Sequence, residues 1–343
     1  MSTLCAHSIE KSTQVLMNDR KVCDITVNFH FIGTGSYVPD HVVTNDDLAE
    51  FLDTSDEWIV QRVGVKERRI STGETAADMA CIAADRALEN SGCTAKDIDL
   101  IIVASCSSDS ASPAVAALVQ SHIGASCPAF DVNSACSGFL FALETAAGFF
   151  ARGTVKRVLV LGAERISRLL DWTDRSTCVI FGDGAGAAVL EAGEGYLASK
   201  LSTTGGNEVI DIPAHHGASP FFKRELPAPF IMMKGQETFK FAVSAMTRDV
   251  MEVLDQAGLT PDQIRWFIPH QANIRIIQFA SKKLKVPMDR FAVNIEHYGN
   301  TSSASVPIAL DECNRSGQLK PGDLIVMAAF GGGLSSAACV IKW

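Results

Sequence analysis

Cys136 lies in the segment Asp131-Val132-Asn133-Ser134-Ala135-Cys136-Ser137-Gly138-Phe139. A short apolar, strand-like piece, 128–132, precedes it. An Ala-, Leu- and Phe-rich run from Phe139 to Phe150 follows and reads as a buried helix. A thiol at that seam would sit at a helix N-terminus, where unpaired N–H groups and the helix dipole favour a thiolate. This is the setting of a sulfur nucleophile. The chain has ten cysteines, none in a Cys-x-x-Cys pair, so zinc and dithiol redox readings are weak. The others read as small core residues, and a reducing cytoplasm is their natural location.

Three later segments offer partners for that sulfur. In Ile268-Pro269-His270-Gln271-Ala272-Asn273, His270 ends an apolar strand and precedes a helix; taken alone it reads as a structural histidine. In Tyr298-Gly299-Asn300-Thr301-Ser302-Ser303, Gly299-Asn300 reads as a turn, with Thr301 or Ser302 as the cap of the next helix. Phe330-Gly331-Gly332-Gly333 lacks the Lys-Ser/Thr of a phosphate loop, so its glycines read as close backbone approach to a substrate or an oxyanion. Gly182-Asp183-Gly184-Ala185-Gly186 reads as a turn entering a strand. His215-His216 lacks a partner at helical spacing and reads as an exposed loop, so no metal is expected.

The elements that must carry these residues alternate. Strand-like pieces at 25–32 (running into Gly33-Thr34-Gly35), 99–104, 157–161, 185–190, 197–203, 266–268, 323–328 and 337–341 are interleaved with helix-like pieces at 74–90, 139–150, 236–257, 273–284 and 301–316. That alternation implies an α/β class built on mostly parallel sheets. The two halves read alike: 27–196 holds the nucleophile, 197–343 holds the His and Asn, and no low-complexity linker separates them. Residues 1–26 lack an apolar secretion core and read as a loose extension. The 343 residues carry a net charge of −9 with no basic run, which argues against nucleic acid, and no apolar stretch approaches the ~20 residues of a membrane span.

Together, Asp131–Phe139, Pro269–Asn273, Gly299–Pro307 and Phe330–Gly333 resemble, in order and spacing, the β-ketoacyl-acyl-carrier-protein synthase III family of the thiolase superfamily. The resemblance runs from about Phe31 to Trp343 and includes Gly33–Pro39, Thr54–Ile59, Gly64–Arg69 and Phe181–Ala188. It implies thiolase-like duplicated α/β halves in a layered αβαβα arrangement. It also implies decarboxylative condensation of an acyl-CoA primer with malonyl-acyl-carrier protein, initiating fatty-acid synthesis, in a homodimer without a cofactor. Cys136, His270 and Asn300 match the family's triad. The backbone N–H groups of Cys136 and Gly332 match its oxyanion donors. Trp58, Arg62, Arg175, Gly235 and Asn273 match its coenzyme A and pantetheine residues. Ser112 and Phe330 fall at the acyl pocket, and Lys240, Arg275, Lys282 and Lys283 at the carrier-protein docking face.

Departures from the family pattern bear on the primer. Ser112 stands where acetyl-primed relatives commonly carry a Phe that closes the partner subunit's pocket, so a longer or branched primer is expected. Trp172 replaces a common Pro, Gln236 a common Asn, and the segment after Gly205 is unusual. Ser112 and Trp172 keep a second reading open, a condensing or acyltransferase enzyme of specialised, polyketide-type metabolism. A third reading, a partner protein that has lost its chemistry, is disfavoured by the intact triad.

Overall fold

The computed structural model describes residues 28–213, 220–221, 225 and 227–343. The expected extension at 1–26 and His215-His216 lie outside the described residues. Two sheets carry the fold. The first contains β1 (Phe29–Tyr37), β4 (Leu100–Ala104), β5 (Ala129–Val132), β6 (Arg157–Glu164) and β7 (Gly184–Ala192), in the order β1-β7-β6-β4-β5. The second contains β8 (Tyr196–Thr203), β11 (Trp266–Pro269), β12 (Leu324–Gly331) and β13 (Ser335–Lys342), in the order β11-β12-β13-β8. Two short ribbons, β2 (Val42–Thr44) with β3 (Glu67–Arg69) and β9 (Ile210–Asp211) with β10 (Met232–Met233), lie outside them.

The sheets repeat one another. From β1 the neighbours run antiparallel (β7), antiparallel (β6), then parallel (β4); from β8 they run antiparallel (β13), antiparallel (β12), then parallel (β11). This is the thiolase-like duplicated α/β fold that the motifs imply.

Nine α-helices lie among the described residues: α1 (Asn45–Ala49), α2 (Asp56–Arg62), α3 (Ala76–Ser91), α4 (Val115–Ile123), α5 (Gly138–Ala151), α6 (Gly235–Gln256), α7 (Ile274–Leu284), α8 (Ile295–Tyr298) and α9 (Ser305–Arg315). Strand alternation sorts them into layers. Leu100, Ile102 and Ala104 of β4 face a core shared with α5, α9 and the second sheet. Ile101 and Val103 face α3 and α4. On β12, Ile325 and Met327 join the central core while Val326 and Ala328 face α6 and α7. Strands covered on both faces read as unbroken apolar runs, which is why these were legible in the sequence. The layers are thus α, β, α, β, α, with α5 and α9 in the middle. No helix among the described residues is long and apolar enough to cross a membrane.

The sheets are mixed rather than mostly parallel as expected: β6–β4, β4–β5 and β11–β12 pair parallel, while β1–β7, β7–β6, β12–β13 and β13–β8 pair antiparallel. The strand expected at 25–32 continues through Gly33-Thr34-Gly35 to Tyr37 as β1. The glycines are needed because α3 lies directly on the strand: a Cβ at Gly35 would overlap Ala83 O and Ala87 N, both backbone atoms. Gly35→Ala is therefore expected to lower unfolding stability by about 2 kcal/mol, the scale of overpacking. Denaturant unfolding checks it; an unchanged midpoint would show that α3 can lift off the sheet freely.

Candidate active site

Each central helix begins with a tight 3-10 turn, Ala135–Ser137 before α5 and Ser302–Ala304 before α9. Both turns open on a residue with positive φ, Ala135 at 45° and Ser302 at 51°. Both are preceded by an asparagine whose Oδ1 accepts the N–H two residues on: Asn133 from Ala135 at 3.1 Å and Asn300 from Ser302 at 2.8 Å. The fold's duplication thus reaches into the site. One copy of the turn carries Cys136, the other begins at Asn300. Thr301 or Ser302 is the cap expected for α9, but neither caps it: the 3-10 turn comes first, and the helix N-cap is Ala304.

Cys136, His270 and Asn300 line one cavity of about 150 Å³, with Ala135, Ser302, Phe330, Gly331 and Gly332. Its walls are largely apolar, with Ile180, Phe181, Ile210, Ile212, Ile231 and Met233. A larger, more open cleft of about 860 Å³ elsewhere holds none of the three.

The structure modifies the reading of Cys136. The residue is half-buried on the cavity wall, and burial pushes its thiol up to about 12, with the Ser302 hydroxyl opposing the shift. The α-helix starts only at Gly138, two residues past the sulfur, and burial is the largest influence on the thiol, favouring its protonated form. Of the three glycines, packing requires Gly331: a Cβ there would stand 2.7 Å from Cys136 N. At Gly332 it would meet nothing closer than 3.4 Å.

His270 extends the β11–β12 ladder, its N–H donating to Ala328 O at 2.8 Å, and is buried. Burial pushes its imidazole down to about 3, so it is neutral. Its Nδ1 lies 2.6 Å from Ser305 Oγ. That hydroxyl also accepts the Gln271 N–H at 3.4 Å; when it donates its own proton to Nδ1, the imidazole proton is on Nε2, facing away from Ser305. Phe330 meets the ring edge-on, centroids 5.2 Å apart. Asn300 is held by a backbone bridge to Phe181: its N–H donates to Ile180 O at 2.9 Å and its carbonyl accepts from Gly182 N at 3.1 Å. With Oδ1 engaged by Ser302, the amide N–H groups remain as donors. Gly182 belongs to the segment read as a strand-entering turn, and β7 does start at Gly184.

Toward the surface, Gly235 and Asn273 line the same cavity. Asn273 caps α7 by accepting Arg275 N–H at 2.9 Å and donates through Nδ2 to Arg62 O at 3.1 Å. Arg62 and Arg175 both lie over the Trp58 ring, at 4.7 and 5.2 Å from its centroid, and Arg175 pairs with Asp53 at 3.0 Å.

Two family models match the chain: 3-oxoacyl-[acyl-carrier-protein] synthase III over residues 130–205 and the C-terminal part of the same family over residues 254–343. A β-ketoacyl-[acyl-carrier-protein] synthase III of Clostridium acetobutylicum is 50% identical over 317 residues, 91% of this chain and 98% of that protein. The chain belongs to the β-ketoacyl-acyl-carrier-protein synthase III family. The crystal structure of the Aquifex aeolicus 3-oxoacyl-[acyl-carrier-protein] synthase III is similar with a TM-score of 0.85 at 44% identity, covering 92% of this chain and all of that one. The Thermus thermophilus synthase III gives 0.86 at 41% identity, covering 91% and 98%.

Two groups matched to the synthase III family by resemblance sit apart from the cavity. Ser112 is exposed on its loop and is not among the residues lining it. Lys240, Arg275, Lys282 and Lys283 are exposed on α6 and α7. Arg275 lies over the Phe239 ring at 5.7 Å, and Phe239 lines the cavity; Lys282 and Lys283 are about 10 Å farther along the helix. Sequence reasoning missed Ser305, which orients His270, and Glu164, the buried acceptor behind Ser302 and Ser303. The signal for Glu164 was a single carboxylate closing an otherwise apolar strand.

Proposed function

We propose that this chain condenses an acyl-CoA primer with malonyl-acyl-carrier protein, releasing CO₂ and giving a β-ketoacyl-acyl-carrier protein, with the acyl group held on Cys136 in between. The observation that carries the reading is the meeting of a thiol, a neutral imidazole and an anchored amide in one apolar cavity. Identity of 50% over nearly the whole length of a synthase III supports it. The polyketide-type reading has less behind it, since a priming β-ketosynthase of a polyketide pathway is 35% identical.

In the first half-reaction the Cys136 sulfur attacks the thioester carbonyl, the N–H groups of Cys136 and Gly332 hold the oxyanion, and the thiol proton leaves with coenzyme A. Trp58 gives the adenine an aromatic face, with Arg62 and Arg175 beside it. Gly235 and Asn273 flank the pantetheine path. In the second, malonyl thioester loses CO₂, and the enolate oxygen receives hydrogen bonds from His270 Nε2–H and the Asn300 amide. The enolate carbon attacks the acyl-Cys136 carbonyl, and Cys136 departs as a thiolate that takes a proton from solvent. The apolar walls and Phe330 surround the acyl chain.

The exposed cations Lys240, Arg275, Lys282 and Lys283 suit an acidic carrier protein on a chain of net charge −9. Strand β5 pairs with β4 alone among the described residues, and that open edge suits a homodimer in which the partner's Ser112 loop reaches the acyl pocket. The eight described cysteines are free thiols, which suits the cytoplasm. The halves 27–196 and 197–343 act as one catalytic unit, each supplying part of the triad.

Mass spectrometry of the protein after incubation with a panel of acyl-CoAs tests the reading. An acyl adduct on Cys136 is expected, favoured for branched or longer chains over acetyl because a small Ser112 leaves room. Absence of any adduct overturns the condensing reading; a preference for acetyl overturns the argument from Ser112.

A further inference from the structure

Glu164 closes β6, is fully buried, and no step above uses it. Its carboxylate accepts from two regions far apart in sequence. One is the loop after β4, through Cys106 N–H at 3.1 Å and the Ser107 hydroxyl. The other is the turn after Asn300, through Ser302 Oγ at 3.1 Å, Ser303 N–H at 3.4 Å and Ser303 Oγ at 2.7 Å. Burial pushes the Glu164 carboxyl up, and the donors from Ser107, Ser303, Cys106 N–H and Ser302 oppose that by meeting the lone pairs of the charged form, so the donor set and the carboxylate hold each other in place. The turn needs that hold. Ser302 sits at φ 51°, a region that residues with a Cβ seldom adopt, and its N–H is the group that fixes the Asn300 oxygen.

We propose that Glu164 is a positioning residue for the condensation step: through Ser302 and Ser303 it holds the turn that aims the Asn300 amide into the cavity. The inference rests on the condensing-enzyme reading given above. The same carboxylate lies near Cys136, and its charge adds to burial in holding that thiol up. The two effects of Glu164 therefore act on different half-reactions and in opposite senses, which gives the test its signature.

The experiment is Glu164→Gln in the full chain, with three readouts: acyl loading of Cys136 by mass spectrometry, condensation turnover with malonyl-acyl-carrier protein, and the pH profile of Cys136 alkylation by iodoacetamide. Glutamine keeps the shape but turns an NH₂ toward hydroxyl donors. Condensation turnover is expected to fall about 10- to 100-fold, the scale of a misplaced catalytic group. Acyl loading should hold or rise, and the alkylation midpoint should move to lower pH. A variant that loses both half-reactions in parallel, or neither, overturns the inference. If Glu164→Gln does not fold, Ser303→Ala carries the test, since it cuts the 2.7 Å link to the carboxylate and keeps the Ser302 N–H on Asn300; condensation should again fall while acyl loading holds, by a smaller factor, and a parallel loss or no loss overturns the inference there too. A wild-type chain that never acylates removes the condensing reading itself, an outcome distinct from wild type acylating while Glu164→Gln behaves identically.

Discussion

Cys136→Ala is expected to cut β-ketoacyl formation by roughly 10⁴-fold or more, the scale of losing a covalent nucleophile, while release of CO₂ from malonyl-acyl-carrier protein continues. The two activities part because they use different atoms. The acyl group needs the sulfur. Decarboxylation needs donors for the enolate oxygen, and in the proposed scheme those are His270 Nε2–H and the Asn300 amide. The substitution should leave these donors in place. The turn around residue 136 is held by Asn133 to Ala135, by Ser137 to Ser335 at 2.8 Å and by close contact with Gly331, none of which uses the sulfur. Intact mass measurement after acyl-CoA treatment, beside CO₂ release, checks both halves. Product at more than about 1% of the wild-type rate would mean that the acyl group does not pass through Cys136.

The sequence made the chemistry easier to locate than its setting. Cys136 was legible because two kinds of pattern meet at it, a short strand-like piece and a long apolar helix. The sheets were legible because β4 and β12 are buried on both faces and so lack polar interruptions. The protonation state of the thiol was not legible. It depends on enclosure by β12 and by the turn before α9, brought in from nearly two hundred residues away. Glu164 escaped notice for the same reason: a carboxylate at a strand end reads as a solvated terminus until the serines that surround it are in place. Gly33 and Gly35 carry no sequence mark of their role, which is to make room for the backbone of α3 on β1. Gly331 and Gly332 look alike in sequence, and only the packing of Cys136 against the first tells them apart.

Asn300→Ala is expected to leave Cys136 acylation intact and to slow condensation by about 10²- to 10³-fold, the usual effect of removing one donor to a developing oxyanion. Asn300→Asp should be slower still, because a carboxylate would face the enolate with like charge. His270→Ala should give the same split between half-reactions. The protonation state of His270 adds a pH test. If the donor were an imidazolium, condensation would speed up as pH falls through the ordinary histidine value near 6.5. Burial instead pushes His270 down to about 3, so the imidazole is neutral throughout pH 5 to 8, and the proposed Nε2–H donor carries no charge there. Condensation by pre-acylated enzyme should thus show no inflection from His270 between pH 5 and 8. Neutrality also fits the role. A charged imidazolium would bind the malonyl carboxylate and oppose loss of CO₂, whereas a neutral donor strengthens its hydrogen bond only as negative charge moves onto the enolate oxygen. Single-turnover rates across that range, compared in wild type and Asn300→Ala, separate the two cases. A rise toward acid that persists in both proteins would assign the decisive donor to a protonated His270 and remove the neutral-donor mechanism.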